Sequence, residues 1–175
     1  MARTSDMYGV EKIILSDPDV AGKPASTTPI TFTEIREDTV KFTVAKSDTT
    51  LIYTETNRNI PYRIFNNAGE APKIDFAVYA SFEQLAALIG GTATATSYTP
   101  LPFVQDIYKK VEIYTRETDK DKNQMILTIP YASIQTGIEG SLKYNDLGYV
   151  EVTATAMKKN EDDVPYTLQI KKKSA

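Results

Sequence analysis

A chain of 175 residues is long enough for one hydrophobic core, because a domain of this size buries roughly 70% of the surface that its unfolded form exposes. Hydrophobic residues make up 41% and charged residues 25%, and the net charge of -3 excludes a strongly basic coat for nucleic acid. Cysteine and histidine are absent, which excludes disulfides, thiolate or imidazole metal sites and a serine–histidine triad. We therefore expect one domain, residues 1–175, that is not an enzyme and has no catalytic residue, cofactor or metal.

The N-terminal residues are polar, and no apolar stretch is long enough to span a membrane. The sequence thus predicts a soluble protein that is made in a cytoplasm and has no membrane partner.

Threonine and tyrosine are frequent, and short alternating runs are more common than helical patterns, which is typical of β structure. In the first quarter we predict a strand over Glu11–Ser16, a loop over Ala21–Pro29 and a strand over Thr39–Lys46. In the last of these, Val40, Phe42 and Val44 would face inward.

The segment Ser47–Lys73 is long for a connection and contains one predicted strand, Thr50–Glu55, followed by a loop-like stretch rich in asparagine, proline and aromatic residues. Its many large apolar residues argue against disorder. Two interpretations are open: an extended hairpin arm whose apolar side is covered by another subunit, or a loop that folds back over its own core.

A strand over Lys73–Tyr79 with an inward face of Ile74, Phe76 and Val78 leads to the one strong helix pattern. Ser81 and Gln84 have capping-box spacing, and Gly90–Gly91 ends the helix. The predicted apolar face of this helix consists of Phe82, Leu85, Ala86 and Ile89. So short a helix must pack on a sheet, and we expect it to cover one end of a β core.

The second half predicts several strands and one short helix or bend at Tyr131–Thr136. In the strand Tyr149–Met157 the predicted inward residues are Val150, Val152, Ala154 and Ala156. The other predicted strands are Thr92–Tyr98, Ile107–Thr115, Asn123–Ile129, Gly137–Lys143 and Tyr166–Lys171. The fold class is therefore mainly β: a β-sandwich or barrel of about eight strands, one short flanking helix (about 81–89), and a long loop or hairpin arm (about 47–73).

Three smaller features have more than one interpretation. Acidic turns at Asp17–Asp19 and Glu161–Asp163 lack the ligand pattern of a calcium loop, so we expect solvated turns. The Lys171–Lys173 tail can contact an acidic partner, although a short terminal charge run is more commonly solvated. Tyr108 and Tyr114 can form a sugar-binding face, although such sheet faces are more commonly ordinary surface or protein interface.

The order of these features resembles the tail tube (major tail) proteins of tailed bacteriophages, whose fold is shared by type VI secretion tube proteins. The resemblance lies in the arm, the strand Lys73–Tyr79, and the short helix that ends in Leu88–Ile89–Gly90–Gly91–Thr92. It continues in Lys110–Ile113, Met125–Ala132, Gly140–Leu142 and Val150–Thr155, which resemble the closing strands of that family.

The resemblance implies a structural virion protein that assembles into hexameric rings, which stack into a hollow tube for DNA ejection. It implies homo-oligomers and other tail proteins as partners, DNA passing through without specific binding, and a location in the virion tail after synthesis in the bacterial cytoplasm. On this hypothesis the arm is a subunit interface, with Tyr53, Tyr62 and Phe65 as apolar anchors and Arg58 and Arg63 pairing with carboxylates.

Two alternatives remain. The first is another virion β-domain, such as a head–tail connector or a capsid decoration protein, which would give closed rings or trimers. The second is a carbohydrate-binding module that uses the Tyr108/Tyr114 face. One feature fits a DNA conduit poorly: Lys109, Lys110, Arg116, Lys120 and Lys122 lie in one predicted hairpin. We expect this hairpin at the outer surface or in a ring–ring contact.

Overall fold

A computed structural model describes residues 9–18, 28–46, 49–52, 63–66, 69–103, 105–117, 123–139, 148–158, 160 and 162–172, with the backbone alone described for 49–52, 63–66 and 172. These ranges contain twelve strands and one helix. In chain order they are β1 (Val10–Ser16), β2 (Ile30–Phe32), β3 (Lys41–Thr43), β4 (Thr49–Ile52), β5 (Arg63–Asn66), β6 (Lys73–Val78), α1 (Phe82–Ile89), β7 (Thr92–Thr94), β8 (Ser97–Thr99), β9 (Ile107–Thr115), β10 (Asn123–Glu139), β11 (Tyr149–Ala156) and β12 (Thr167–Lys172).

Eight strands form one antiparallel sheet in the order β2-β1-β9-β10-β11-β6-β3, and β12 pairs with β10 outside this path. Two further pairs, β4-β5 and β7-β8, are separate two-stranded sheets. The predicted class, mainly β with one short helix and a hairpin arm, is therefore confirmed.

The sheet rolls up because residues 30–36 contact both of its edges. β2 pairs with β1, and three residues after its end Ile35 forms a bridge with Val78 of β6. The Arg36 amide donates to the Ala77 carbonyl at 2.9 Å, and the Tyr79 amide donates to the Glu34 carbonyl at 2.9 Å. One stretch of backbone thus connects the two edges, and we refer to the result as the rolled sheet.

The core fills the inside of the rolled sheet, and the buried apolar residues form one cluster. The alternation of side chains along a strand places one face of each strand in this core. In β11 the inward residues are buried and alternate with more exposed ones, as predicted: Val150, Val152, Ala154 and Ala156. In β6 the predicted inward residues Ile74, Phe76 and Val78 are also buried. Val44, in contrast, was predicted to face inward but is exposed, because it lies just beyond the last paired residue of β3.

The predicted helix or bend at Tyr131–Thr136 is wrong. These residues belong to β10, a single strand of 17 residues that pairs with β9 on one edge and with β12 and then β11 on the other. The ladder with β9 shifts register between Ile129 and Ala132, around Pro130. Proline has no amide hydrogen to donate to a ladder, so the sheet accommodates it at an irregularity instead of ending there.

The capping box of α1 is present as predicted. The Ser81 hydroxyl accepts from the Gln84 amide at 3.2 Å, and the Gln84 side chain accepts from the Ser81 amide at 2.9 Å. Leu85 and Leu88 are the buried residues of the helix, whereas Phe82, which was predicted to lie on the buried face, is exposed. The helix is anchored by its second turn because its first residue lies at the rim of the rolled sheet.

Three other strands differ from the predictions. Thr92–Tyr98 is not one strand but belongs to the hairpin β7-β8. β2 was not predicted, because it has only three residues. The predicted strand Gly137–Lys143 is the end of β10 as far as Glu139, and residues 140–147 lie outside the described part of the chain.

The predicted arm contains a hairpin: Thr49 to Ile52 of β4 pair with Asn66 to Arg63 of β5. β4 follows β3, and β5 precedes β6, so the hairpin continues the β3-β6 pair beyond the main sheet. The segments that join the hairpin to β3 and to β6 lie close together, since a Cβ added at Gly69 would be 2.9 Å from the Lys46 carbonyl oxygen.

Candidate subunit interface

The directions of the strands define two ends of the rolled sheet. β6 runs from the hairpin β4-β5 to α1, and each neighbour in the sheet is antiparallel to the next. The arm end therefore contains the starts of β1, β6 and β10 and the ends of β3, β9 and β11. The helix end contains α1, the hairpin β7-β8, the start of β9 and the end of β10.

The exposed large apolar residues in the described part of the chain are divided between these two ends. Four lie at the helix end, five lie at the arm end, and the tenth, Tyr108, stacks on Tyr131 with ring centroids 5.2 Å apart. At the helix end they are Tyr79, Phe82, Phe103 and Ile138; at the arm end they are Val44, Met157, Val164, Leu168 and Ile170.

At the arm end, β12 extends the inner face of the sheet beyond the part that the core covers. Leu168 pairs with Leu127 and Ile170 with Met125, so these side chains lie on the same face. Leu127 is 5% exposed, but Leu168 is 53% and Ile170 is 60% exposed. No other described strand pairs with the free edge of β12, and an open edge with apolar side chains is a site where another chain can add.

At the helix end, a groove with a volume of about 470 Å³ lies between the segment that connects β8 to β9 and the second half of β10. Its apolar lining includes Ile89, Tyr98, Leu101, Phe103 and Ile107, and Gln105 and Asp106 are among its polar residues. The Tyr98 hydroxyl donates to the Gly90 carbonyl at 3.0 Å and so holds the hairpin β7-β8 against the end of α1. This wall of the groove is therefore fixed by a specific contact.

The two ends also differ in charge. Residues 79–107, which include α1 and most of the groove, contain no lysine or arginine but do contain Glu83 and Asp106. β12, at the arm end, finishes in Lys171 and Lys172. The segment 79–107 at the helix end is thus acidic, and the end of β12 at the arm end is basic.

The predicted cluster of basic residues is partly neutralised where the structure describes it. The Lys109 ammonium lies 2.6 Å from a carboxylate oxygen of Asp17, and that of Lys110 lies 3.3 Å from Glu112. Arg116 is exposed, and Lys120 and Lys122 lie outside the described residues. Two of the charges that fitted a DNA conduit poorly are therefore paired with carboxylates.

Tyr108 and Tyr114 do not form a common platform for a sugar. Both lie on the outer face of β9, but they are separated by six positions, or about 20 Å along a strand. The Lys12 ammonium lies over the ring of Tyr114, 4.8 Å from its centroid. Burial raises the pKa of the Tyr114 hydroxyl, and the charge of Glu112 raises it further against the opposing effect of Lys110.

The described structure does not test the predicted interface residues of the arm. Tyr53, Arg58 and Tyr62 lie outside the described residues, and Arg63 and Phe65 lie in β5, where only the backbone is described. Sequence reasoning did not single out Leu168, Ile170, Phe103 or Ile138. The alternation of Leu168 and Ile170 was visible in the sequence, but it does not show whether an inward-facing side chain is covered.

No protein-family model matches this chain, and no curated protein matches it. Among the described residues no helix is long and apolar enough to cross a membrane. The same residues contain no group of three or more acidic side chains placed to hold a metal ion.

Proposed function

We propose that this chain is a structural virion subunit that assembles into stacked hexameric rings and so forms the hollow tail tube of a bacteriophage through which DNA passes to the host. The observation that carries the proposal is the division of the exposed apolar residues between two unlike ends of one rolled sheet. The resemblance to tail tube proteins supplies the phage context.

Two unlike ends favour an open assembly. When one surface of a subunit binds a different surface of the next, the contact leaves a free copy of each surface at the two ends of the assembly. Such head-to-tail contacts continue without limit unless a rotation closes them into a ring. Contact along the axis of the rolled sheet stacks subunits, and this is the geometry that a tube of rings requires.

The arm is the second support. The hairpin β4-β5 leaves the main sheet at the arm end, beside the exposed Val44. We propose that it contacts the next ring, with Tyr53, Tyr62 and Phe65 as apolar anchors and Arg58 and Arg63 pairing with carboxylates. Tyr62→Ala or Phe65→Ala should then weaken assembly by about 2 kcal/mol or more per contact, because aromatic anchors dominate interface energies.

Charge is compatible with a conduit. The chain has a net charge of -3, so it offers DNA no general electrostatic attraction, and Lys109 and Lys110 are paired with carboxylates.

Negative-stain electron microscopy of the purified protein at rising concentration tests the proposal. We expect hollow tubes or stacked rings. Closed rings or trimers that never lengthen would favour a connector or decoration protein instead. Monomers at all concentrations, including in the presence of preformed tail tips, would contradict self-assembly. A variant that lacks residues 49–66 should remain folded by circular dichroism but should not lengthen; unchanged tubes would refute the role of the arm.

A further inference from the structure

We infer that the groove at the helix end is the binding site for β12 of a second copy, with Leu168 and Ile170 against its apolar wall and the basic C-terminal end of the strand toward the acidic residues 79–107. The inference rests on the proposed function and names the contact through which successive copies stack.

The groove has the shape and chemistry of a site for a protruding apolar element. Its volume of about 470 Å³ lies within the range of roughly 300–1,000 Å³ that is usual for sites that enclose a ligand. Ile89, Leu101, Phe103 and Ile107 give it an apolar wall, and Phe103 is largely exposed. A side chain of this size exposed at the rim of a concave surface is typical of an interface.

β12 is the matching convex element. Among the described strands it pairs only with β10, along one edge, and its residues from Leu168 to Lys171 are exposed. Its inner face has the two most exposed apolar residues of the strand, and its outer face has Gln169. The apolar strand face therefore meets the apolar wall of a groove whose lining is otherwise mixed, and Gln169 on the other face of the strand remains toward the polar lining or water.

The charge of β12 is complementary to that of residues 79–107. Residues 79–107 have acidic side chains and no basic one, and the last residues of β12 are lysines. Asp106 lines the groove itself. Complementary charges of this kind fix the orientation of a contact and raise its association rate more than its affinity.

The positions of the two surfaces allow both to be used at once. The groove and β12 lie at opposite ends of the rolled sheet, so a subunit that receives β12 from one neighbour can still offer its own β12 to another. The contact is consequently heterologous and repeats along a stack.

Engineered cysteines give a direct test, because the chain has no cysteine of its own. Gln105→Cys protein is mixed with Ile170→Cys protein that has a size tag, and the mixture is oxidised mildly. A disulfide requires Cα atoms about 4.4–6.8 Å apart, so we expect a mixed dimer in at least about fivefold higher yield than with Gln169→Cys, the matched control on the other face of β12. Adding Asp106→Asn should slow the cross-linking at low salt.

Electron microscopy of the same samples separates the two proposals. Tubes without the mixed disulfide, or with equal yield from the Gln169→Cys control, would overturn the groove assignment and leave the proposed function standing. The disulfide in samples that contain only closed or dimeric particles would support the groove and overturn the tube. Neither tubes nor disulfide would overturn both. All three cysteine positions are exposed, so folding should be unaffected.

Discussion

Replacing the exposed apolar face of β12 should weaken assembly while leaving the single copy folded. In the double variant Leu168→Thr/Ile170→Thr, both positions keep residues that favour strands, but the large apolar side chains are lost. Full burial of a leucine or isoleucine side chain is worth about 1.5–3 kcal/mol. Because Leu168 is 53% and Ile170 is 60% exposed in the single copy, about half of that value remains for the contact with a neighbour.

The two positions together then contribute roughly 2–3 kcal/mol per contact, which corresponds to a factor of about 30 to 150 in the association constant. The assay is the critical concentration for sedimentable tubes, measured by ultracentrifugation over a dilution series. We expect it to rise by about that factor. Gln169→Thr, on the opposite face of the same strand, is the control and should leave the critical concentration unchanged.

Unfolding in urea separates the assembly effect from the fold. Since just under half of each side chain is already covered in the single copy, the monomer should lose no more than about 1–3 kcal/mol of unfolding free energy, and the urea titration measures this loss separately from assembly. An unchanged critical concentration would refute the assignment of this face to the stacking contact. A large loss of monomer stability would instead show that β12 contributes to the core of its own chain.

Three further predictions concern the fold that presents these surfaces. Leu88→Ala should lower the free energy of unfolding by about 2–5 kcal/mol, because Leu88 is fully buried under the rolled sheet; Ala87→Gly on the exposed side of α1 is the control. Gly91→Ala should cost more than about 2 kcal/mol in the same urea titration, since φ is +105° and an added Cβ would clash with the Thr99 carbonyl oxygen. The raised pKa of Tyr114 means that the folded state favours the neutral hydroxyl. Its contribution to the free energy of unfolding is fully present below about pH 10 and is lost as the pH rises through the folded-state pKa. Urea midpoints should therefore fall less steeply above pH 10 in Tyr114→Phe, and equal slopes would contradict the pKa shift.

The sequence predicted the parts of the fold that depend on local chemistry. The capping box of Ser81 and Gln84 and the stop at Gly90–Gly91 fix α1 to within a residue, because each signal acts through the backbone of adjacent turns. The alternation in β11 predicted every buried residue of that strand, since both of its edges are paired within the sheet.

The errors arise where distant pairing overrides a local signal. The predicted strand ended at Ile129, yet β10 continues past Pro130 because β9, β11 and β12 pair with it on both sides. Phe82 fitted the apolar face of α1 by spacing, but the helix meets the core only from Leu85 onward. Neither outcome could be predicted without knowing which strands lie beside these residues.

The exposed residues of the candidate interface were missed for the same reason, because the local pattern does not show what lies beside a strand. A period of two residues separates the inner from the outer face of a strand, and by that rule Leu168 and Ile170 belong with Leu127 in the core. The pattern contains no information on how far the core extends along the strand. Along the edge of β10, β11 pairs as far as Ala156 and β12 pairs with the preceding part of the strand. There the inner face continues, but no described element covers Leu168 and Ile170. Side chains that have the sequence pattern of a core but the exposure of a surface are what an assembly contact requires, because they are apolar enough to be buried and are buried only when a neighbour is present.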